Sequence, residues 1–224
     1  MVKKLVLLLS ICSIPLLAVS QTEKVTRFAE AALSANSYKG DLHSNYQKWT
    51  GAFHAGILLN HKYRLNGHFG LMAGTIMGDN ADYQFTDNSG NTATPNTFFK
   101  TSIIALNYDI HLNLLKKNNY IVYLTQGAGL LRFSPKNELN EELTGQFNTR
   151  AKNETYSNIT LFFPTGIGAI YLFPNGYGAG FQATYLNTTS DYLDNISQYG
   201  HRQKKDNVLS YRFSFYIPIS YKSE

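Results

Sequence analysis

Histidine can act as a general base and serine as a nucleophile, so the adjacent residues His43 and Ser44 could contribute to a hydrolytic site. Two side chains cooperate on a strand only if they share a face, which requires i, i+2 spacing. These two are neighbours in a polar stretch, where a solvated loop is the simpler interpretation. We therefore expect no catalytic residues and no enzymatic activity.

Metal or cofactor chemistry also has little support in the sequence. The six histidines are scattered without close pairing at metal-ligand spacing, at positions 43, 54, 61, 68, 111 and 201. Asp79, Asp82 and Asp87 share one polar stretch and could bind a divalent cation, although acidic residues in a loop commonly only keep it solvated. We expect no metal ligands and no cofactor.

Five ionisable residues fall on the polar faces of predicted strands: Glu30, His54, Asp109, His111 and Arg212. A charge enclosed in a protein interior is costly unless it is paired. We therefore expect a polar network in which Arg212 pairs with Asp109 or Glu30, either directly or through His111. A structural plug and a proton or ion relay are both open as its role.

The C-terminal stretch shows which elements position these residues. Between Val208 and Tyr221 every odd position is apolar or aromatic, and the even positions are mostly polar or small. A period of two predicts a β-strand. The stretch exceeds the roughly 9–11 residues that a tilted strand needs to cross a bilayer. Because lipid offers the backbone no hydrogen bonds, such strands must form a closed barrel.

The rest of the chain supplies the barrel. The predicted strands span residues 28–38, 51–64, 69–77, 99–114, 120–133, 158–173, 177–189 and 208–221, and Asn66-Gly67 predicts a hairpin turn. Connections after strands 2, 4 and 6 are short, and the others are long. This alternation predicts an all-β fold, an eight-stranded antiparallel up-and-down transmembrane β-barrel with short periplasmic turns and long extracellular loops. A soluble barrel would instead turn its apolar face inward.

Residues 1–20 resemble a cleaved secretory signal peptide, with Lys3 and Lys4, an apolar run and a small-residue site at Ala18-Val19-Ser20. Residues 21–224 would then form the barrel domain. The sequence has 20 basic and 15 acidic residues; without Lys3 and Lys4 there are 18 against 15, a net charge of +3. This mild excess gives nucleic-acid binding little support.

Several stretches carry a family resemblance, and they lie where predicted strands meet long loops. They are Ser37 to Leu42, Gly78 to Tyr83, Phe133 to Lys136 and Thr189 to Ser197. The chain resembles the small OmpA-like outer-membrane barrels. It is more closely similar to the family that includes PorG, which is associated with type IX secretion. The last stretch contains a signature-like loop: Ser190, Asp191, Tyr192, Leu193 and Asp194.

This resemblance implies a non-enzymatic barrel in a bacterial outer membrane, acting as an anchor or accessory subunit of a secretion or gliding machinery. Its partners would be outer-membrane lipid, lipopolysaccharide and periplasmic proteins. A stand-alone surface barrel for adhesion or envelope stabilisation is the alternative, and a narrow channel or a lipid A-modifying enzyme is less favoured. One departure is that Gln182 and Leu186 stand where the family usually has Glu and Arg, so Arg212 needs other partners.

Overall fold

The structure, a computed structural model, describes residues 24–42, 45–61, 63–200 and 205–222. The expected signal peptide, His43, Ser44 and most of the basic run 201–205 lie outside the described residues. No helix in the described part of the chain is long and apolar enough to cross a membrane.

The described residues form ten β-strands and two short 3₁₀ turns. The strands are β1 Lys24–Lys39, β2 Trp49–Leu59, β3 Leu65–Asp79, β4 Phe85–Thr86, β5 Thr92–Ala93, β6 Phe98–Lys116, β7 Tyr120–Lys136, β8 Ile159–Leu172, β9 Gly178–Thr188 and β10 Asn207–Lys222. The 3₁₀ turns span Leu143–Gly145 and Phe147–Thr149. Most of the long strands extend beyond their predicted bounds, because strand pairing continues past the last clearly alternating residues.

Eight of the strands close into one antiparallel barrel, in the order β1-β10-β9-β8-β7-β6-β3-β2. Closure is made by β1 and β10, whose register runs from Lys24 opposite Lys222 to Lys39 opposite Asn207. β4 and β5 form a separate hairpin in the loop between β3 and β6. The predicted eight-stranded antiparallel barrel is thus confirmed.

Connections alternate in length around the barrel, as the sequence predicts. Segments 60–64, 117–119 and 173–177 join neighbouring strands tightly at one end, and 40–48, 80–97, 137–158 and 189–206 form the long loops at the other. The predicted hairpin turn at Asn66-Gly67 is wrong. Both residues lie inside β3, opposite His111 and Ile110 of β6, and the chain turns earlier, where Asn60 has φ 52°.

The outer face of the barrel is apolar. Large hydrophobic side chains there are exposed: Leu33, Phe53, Ile57, Phe69, Leu71, Ile104, Leu106, Tyr108, Ile110, Leu124, Leu130, Leu161, Phe163, Ile167, Phe181, Tyr211, Phe213, Phe215 and Ile217. Gln126 also lies on this face, where its Oε1 accepts a hydrogen bond from Thr165 at 2.7 Å. A continuous apolar belt on a closed sheet is the surface that a bilayer requires.

The interior is packed in layers. One buried apolar cluster, including Phe28, Leu58, Ile121 and Tyr216, fills the end with the short turns. A larger one, with Phe99, Phe133 and Leu193 among its members, fills the end with the long loops. Buried polar side chains lie between them, at the level of Glu30 and Arg212.

Phe213→Arg tests the orientation of the belt. Phe213 lies near the middle of β10 and is 61% exposed, so arginine there should cost about 2–4 kcal/mol of unfolding free energy in a bilayer. Leu115→Arg is the matched control, because Leu115 is 53% exposed but lies one residue before the end of β6. Its cost should be about 0–1 kcal/mol. Equal costs in denaturant unfolding from lipid vesicles would contradict the assignment.

Candidate functional site

The buried polar layer is organised around Glu30 of β1. Its Oε1 lies 3.5 Å from Arg212 Nε, an ion pair at longer than ordinary hydrogen-bond distance. The same oxygen accepts a hydrogen bond from Ser214 Oγ at 2.5 Å, and its Oε2 lies 2.6 Å from His68 Nε2. Glu30 therefore connects β1 to β10 on one side and, across β2, to β3.

His68 is the bridge between the two buried acids. Its Nε2 faces Glu30, and its Nδ1 lies 3.3 Å from Asp109 Oδ2. An imidazole that donates from both nitrogens is positively charged. In that form His68 and Arg212 are two cations and Glu30 and Asp109 are two carboxylates, so the charges of the layer cancel. Pairing of this kind offsets the free-energy cost of burying charges.

Arg212 completes its contacts on β9. Its guanidinium donates to Gln182 Oε1 at 2.6 Å, and Tyr123 Oη donates to the same oxygen at 2.8 Å. Gln182 is uncharged, so the negative charge that pairs with Arg212 comes from Glu30 on the other neighbouring strand, β1.

The four residues proposed as a polar network are all buried, and of its two expected partners Arg212 pairs with Glu30 and not with Asp109. Glu30 and Arg212 face each other, whereas Asp109 contacts His68 and Asn107 instead of Arg212. His111 is not the bridge; its ring stacks on Tyr123 at 4.3 Å and on His68 at 5.2 Å. Sequence reasoning missed His68 because it was assigned to a turn. Its inward parity with Gly70 and Met72 was the available signal.

Glycines make room for this layer. A Cβ on Gly127 would collide with Asp109 Oδ1, and one on Gly56 would crowd His68 and Glu30. The cost of replacing either glycine would therefore be steric, since neither has a positive φ.

The signature-like loop lies at the end of the barrel where the long loops meet. Leu193 is fully buried; its N–H donates to Asp206 at 2.7 Å, and its carbonyl accepts from Thr101 at 2.5 Å. Asp194 accepts from the N–H of Ile196 at 2.9 Å, and Ser190 accepts from the N–H of Tyr192 at 3.1 Å. These contacts fold the loop inward over the barrel mouth.

Asn195 joins the loops to one another. With φ 69°, it donates to Asn96 and Thr149 and accepts from Tyr156, at 3.1, 2.8 and 2.9 Å. Tyr192 stacks on Tyr156 at 4.4 Å and donates to Glu154 at 3.0 Å. Segments 80–97, 137–158, 189–200 and 205–206 therefore form one assembly, which we call the cap.

Two buried acids in the cap share a single hydroxyl. Tyr38 Oη lies 2.6 Å from Asp194 Oδ2 and 2.8 Å from Asp206 Oδ1. One hydroxyl has one proton, so it donates to one carboxylate, and the second short contact requires a proton from the other acid. Burial raises the pKa of Asp194 to about 7 and raises that of Asp206, which also faces Asp194. Sequence reasoning missed Tyr38 and Asp206, which are 168 positions apart.

Asp79, Asp82 and Asp87, considered above for a cation, have local contacts. Asp79 pairs with Lys48 at 3.0 Å, and Asp87 accepts from the N–H groups of Ser89 and Asn91 in the hairpin. Asp82 is exposed, and its own N–H donates to Asn80. These contacts support a solvated loop.

Comparison with solved structures shows which known fold this architecture resembles. The chain is similar to Neisserial surface protein A, with a TM-score of 0.55 and 7% sequence identity over 86% of this chain and 97% of that one. The fold is that of an eight-stranded outer-membrane barrel. Ail of Yersinia pestis, solved with a heparin analogue, gives a TM-score of 0.48 at 8% identity over 86% and 98% of the chains. No family model and no curated protein sequence matches the chain.

A double-mutant cycle on Glu30 and Arg212 tests their coupling. Arg212→Met and Glu30→Gln should each cost about 3–5 kcal/mol of unfolding free energy, because each leaves a buried charge without its partner. The double variant should cost less than the sum by about 0.5–3 kcal/mol. Ser210→Ala, at a buried inward position of the same strand, is the control and should cost much less. Additive costs would show that the pair is not coupled.

The cap should open more readily as pH rises. A carboxyl group with a raised pKa binds its proton more tightly in the closed cap, so the cap loses stability between the ordinary value, 3.8, and about 7. Amide hydrogen exchange of residues 189–206, corrected for its intrinsic pH dependence, should therefore accelerate across this window. Asp194→Asn should flatten the response, while Asp87→Asn in the exposed hairpin should leave it intact. An unchanged response in Asp194→Asn would refute this account.

Proposed function

We propose that this protein is a non-enzymatic anchor in a bacterial outer membrane, which holds a folded cap outside and offers its short turns to the periplasm. The observation that carries the proposal is the apolar belt around an interior filled with side chains. In this proposal residues 1–20 are the export signal that is removed before the barrel folds.

Because the interior is filled with side chains, a role as an anchor is better supported than a role as a channel. A cavity beside Asp109 and Arg212 has a volume of about 30 Å³, room for roughly one water molecule. The Tyr38, Phe99 and Leu193 side chains above it are almost fully buried. Eight strands enclose an interior that side chains alone can fill, so solute passage is not favoured.

Lipopolysaccharide is the lipid partner that the outer face supports. Lys100 of β6 and Lys136 of β7 are paired across the strands near the long-loop end, and Arg132 follows the same outward parity. Like charges placed opposite each other destabilise a strand pair unless an anion neutralises them. Lipid phosphates at this height of the bilayer would do so, which we propose as the reason for the cluster.

A more specific role is that of a PorG-like accessory subunit in a secretion or gliding machinery. The signature-like loop and its corner motifs support it. The end with the short turns also presents exposed Tyr63, Tyr120 and Tyr171 with Lys117, a surface that a periplasmic protein could contact. Tyrosine is enriched in protein interfaces because its ring packs while its hydroxyl stays hydrogen-bonded.

Adhesion is a second candidate, favoured by one observation on the cap. Leu139 and Phe147 are 78% and 69% exposed on the loop between β7 and β8, well outside the belt. Exposed apolar side chains at such a site suit contact with a ligand or another surface.

Deletion and complementation test the proposed accessory role. In a deletion strain, cargo of the secretion machinery should accumulate in the periplasm, and the full-length gene should restore export. The variant Tyr63→Asp/Tyr120→Asp should reach the outer membrane yet restore export poorly, whereas Leu139→Asp/Phe147→Asp should restore it fully. Normal export in the deletion strain would exclude the role. Loss of host-surface binding by the Leu139/Phe147 variant alone would favour adhesion.

A further inference from the structure

One cluster of side chains in the buried polar layer has a composition suited to metal binding. It consists of His68 on β3 with Asp109 and His111 on β6, each at most 2% exposed. His68 is directly opposite Asp109 in the β3–β6 register, and His111 lies two residues further on the same inward face. One ligand atom from each residue can be chosen so that all three lie within 4.8 Å of one another.

Two polar atoms of this cluster have no hydrogen-bond partner among the described residues: His111 Nε2 and Asp109 Oδ1. An unpaired buried polar atom is costly, and each such case calls for an explanation. His111 is held with its ring between those of His68 and Tyr123, so rotation towards solvent is not available to it. Its unpaired nitrogen is a lone-pair donor of the kind that transition metals bind.

Glu30 orients the histidine from the other side. Its Oε2 lies 2.6 Å from His68 Nε2, so a proton on that nitrogen would be donated to Glu30. In the neutral tautomer with its proton on Nε2, Nδ1 has a lone pair for a metal, and the ion would replace the 3.3 Å contact between Nδ1 and Asp109 Oδ2. A carboxylate behind a histidine is the usual outer arrangement at metal sites, where it fixes the tautomer and the orientation of the ring.

We propose that His68, Asp109 and His111 bind one first-row transition-metal dication, with Zn²⁺ as the best-suited ion. Two imidazoles and one carboxylate form a donor set that Zn²⁺ accepts, and oxygen-seeking Mg²⁺ and Ca²⁺ do not favour it. The bound ion would fasten β3 to β6 and satisfy both unpaired atoms.

The site must adjust before it can bind an ion. Zn²⁺ bonds of about 2.0–2.2 Å in a tetrahedron place ligand atoms about 3.4 Å apart, so atoms that lie up to 4.8 Å apart must approach by as much as about 1.4 Å. The stacked rings of His68 and His111, whose planes are 23° apart, must also tilt so that both nitrogens point at the ion. Of the three residues only Asp109 lines the 30 Å³ cavity, beside Asn107, so a water molecule that serves as the fourth ligand would approach from that side. The site is enclosed, so the ion would enter before the barrel closes, as metal binding commonly accompanies folding.

The test is refolding of the full chain with Zn²⁺ alone, followed by gel filtration and measurement of retained metal. The wild-type protein should keep one Zn²⁺ per chain. His111→Phe, which preserves the stacked ring, and Asp109→Asn should retain at least tenfold less. Glu30→Gln should bind about 10–100-fold more weakly, because the outer hydrogen bond is altered. His61→Gln is the control, a buried histidine at the turn between β2 and β3, and should keep the ion.

Thermal unfolding of the wild-type chain gives a second readout that does not depend on the variants. Zn²⁺ should raise the unfolding temperature, and Mg²⁺ should not, because only an ion bound to the folded state stabilises it. Sub-stoichiometric retention, equal retention by folded His111→Phe, or the absence of a Zn²⁺-specific shift would each overturn the proposal.

Discussion

The constraint on which this structure depends is that a backbone in lipid must find all its hydrogen-bond partners within the protein. β1 and β10 come from opposite ends of the described chain, and their pairing removes the two edges that an open sheet would leave. With eight strands closed, the barrel is narrow, and its diameter is set before any side chain is considered. Everything inside must then fit that diameter.

The narrow interior explains the layered packing. Large apolar side chains fill both ends of the barrel, and Glu30, His68, Asp109 and Arg212 lie between them, where they compensate one another. Glycines on β2 and β7 provide the space that these side chains occupy. Each charge has a partner on another strand, so the same contacts that neutralise the interior also hold the strands in register.

Alternation along β6 and β10 predicted strands with an apolar outer face, and the patterns and alternating loop lengths of the rest of the chain predicted that there are eight of them. The predicted turn at Asn66-Gly67 was wrong because the pairing of β3 with β6, which begins with Leu65 opposite Leu112, outweighs the local turn preference of this dipeptide. That error hid His68, the central histidine of the layer. The Tyr38, Asp194 and Asp206 contact could not be read from spacing, because only the closed barrel brings β1 next to β10.

The β4–β5 hairpin differs from the rest of the cap because it makes few contacts with neighbouring segments. The ring centroid of Phe85 at its base lies 5.5 Å from that of Tyr199. Beyond that, the segment from Asn88 to Gly90 is exposed and is stabilised by its own turn, with Gly90 at φ 85°. Foreign peptides inserted there would leave both the belt and the loop contacts undisturbed. The hairpin tip is accordingly a natural place to graft an epitope for display on cells.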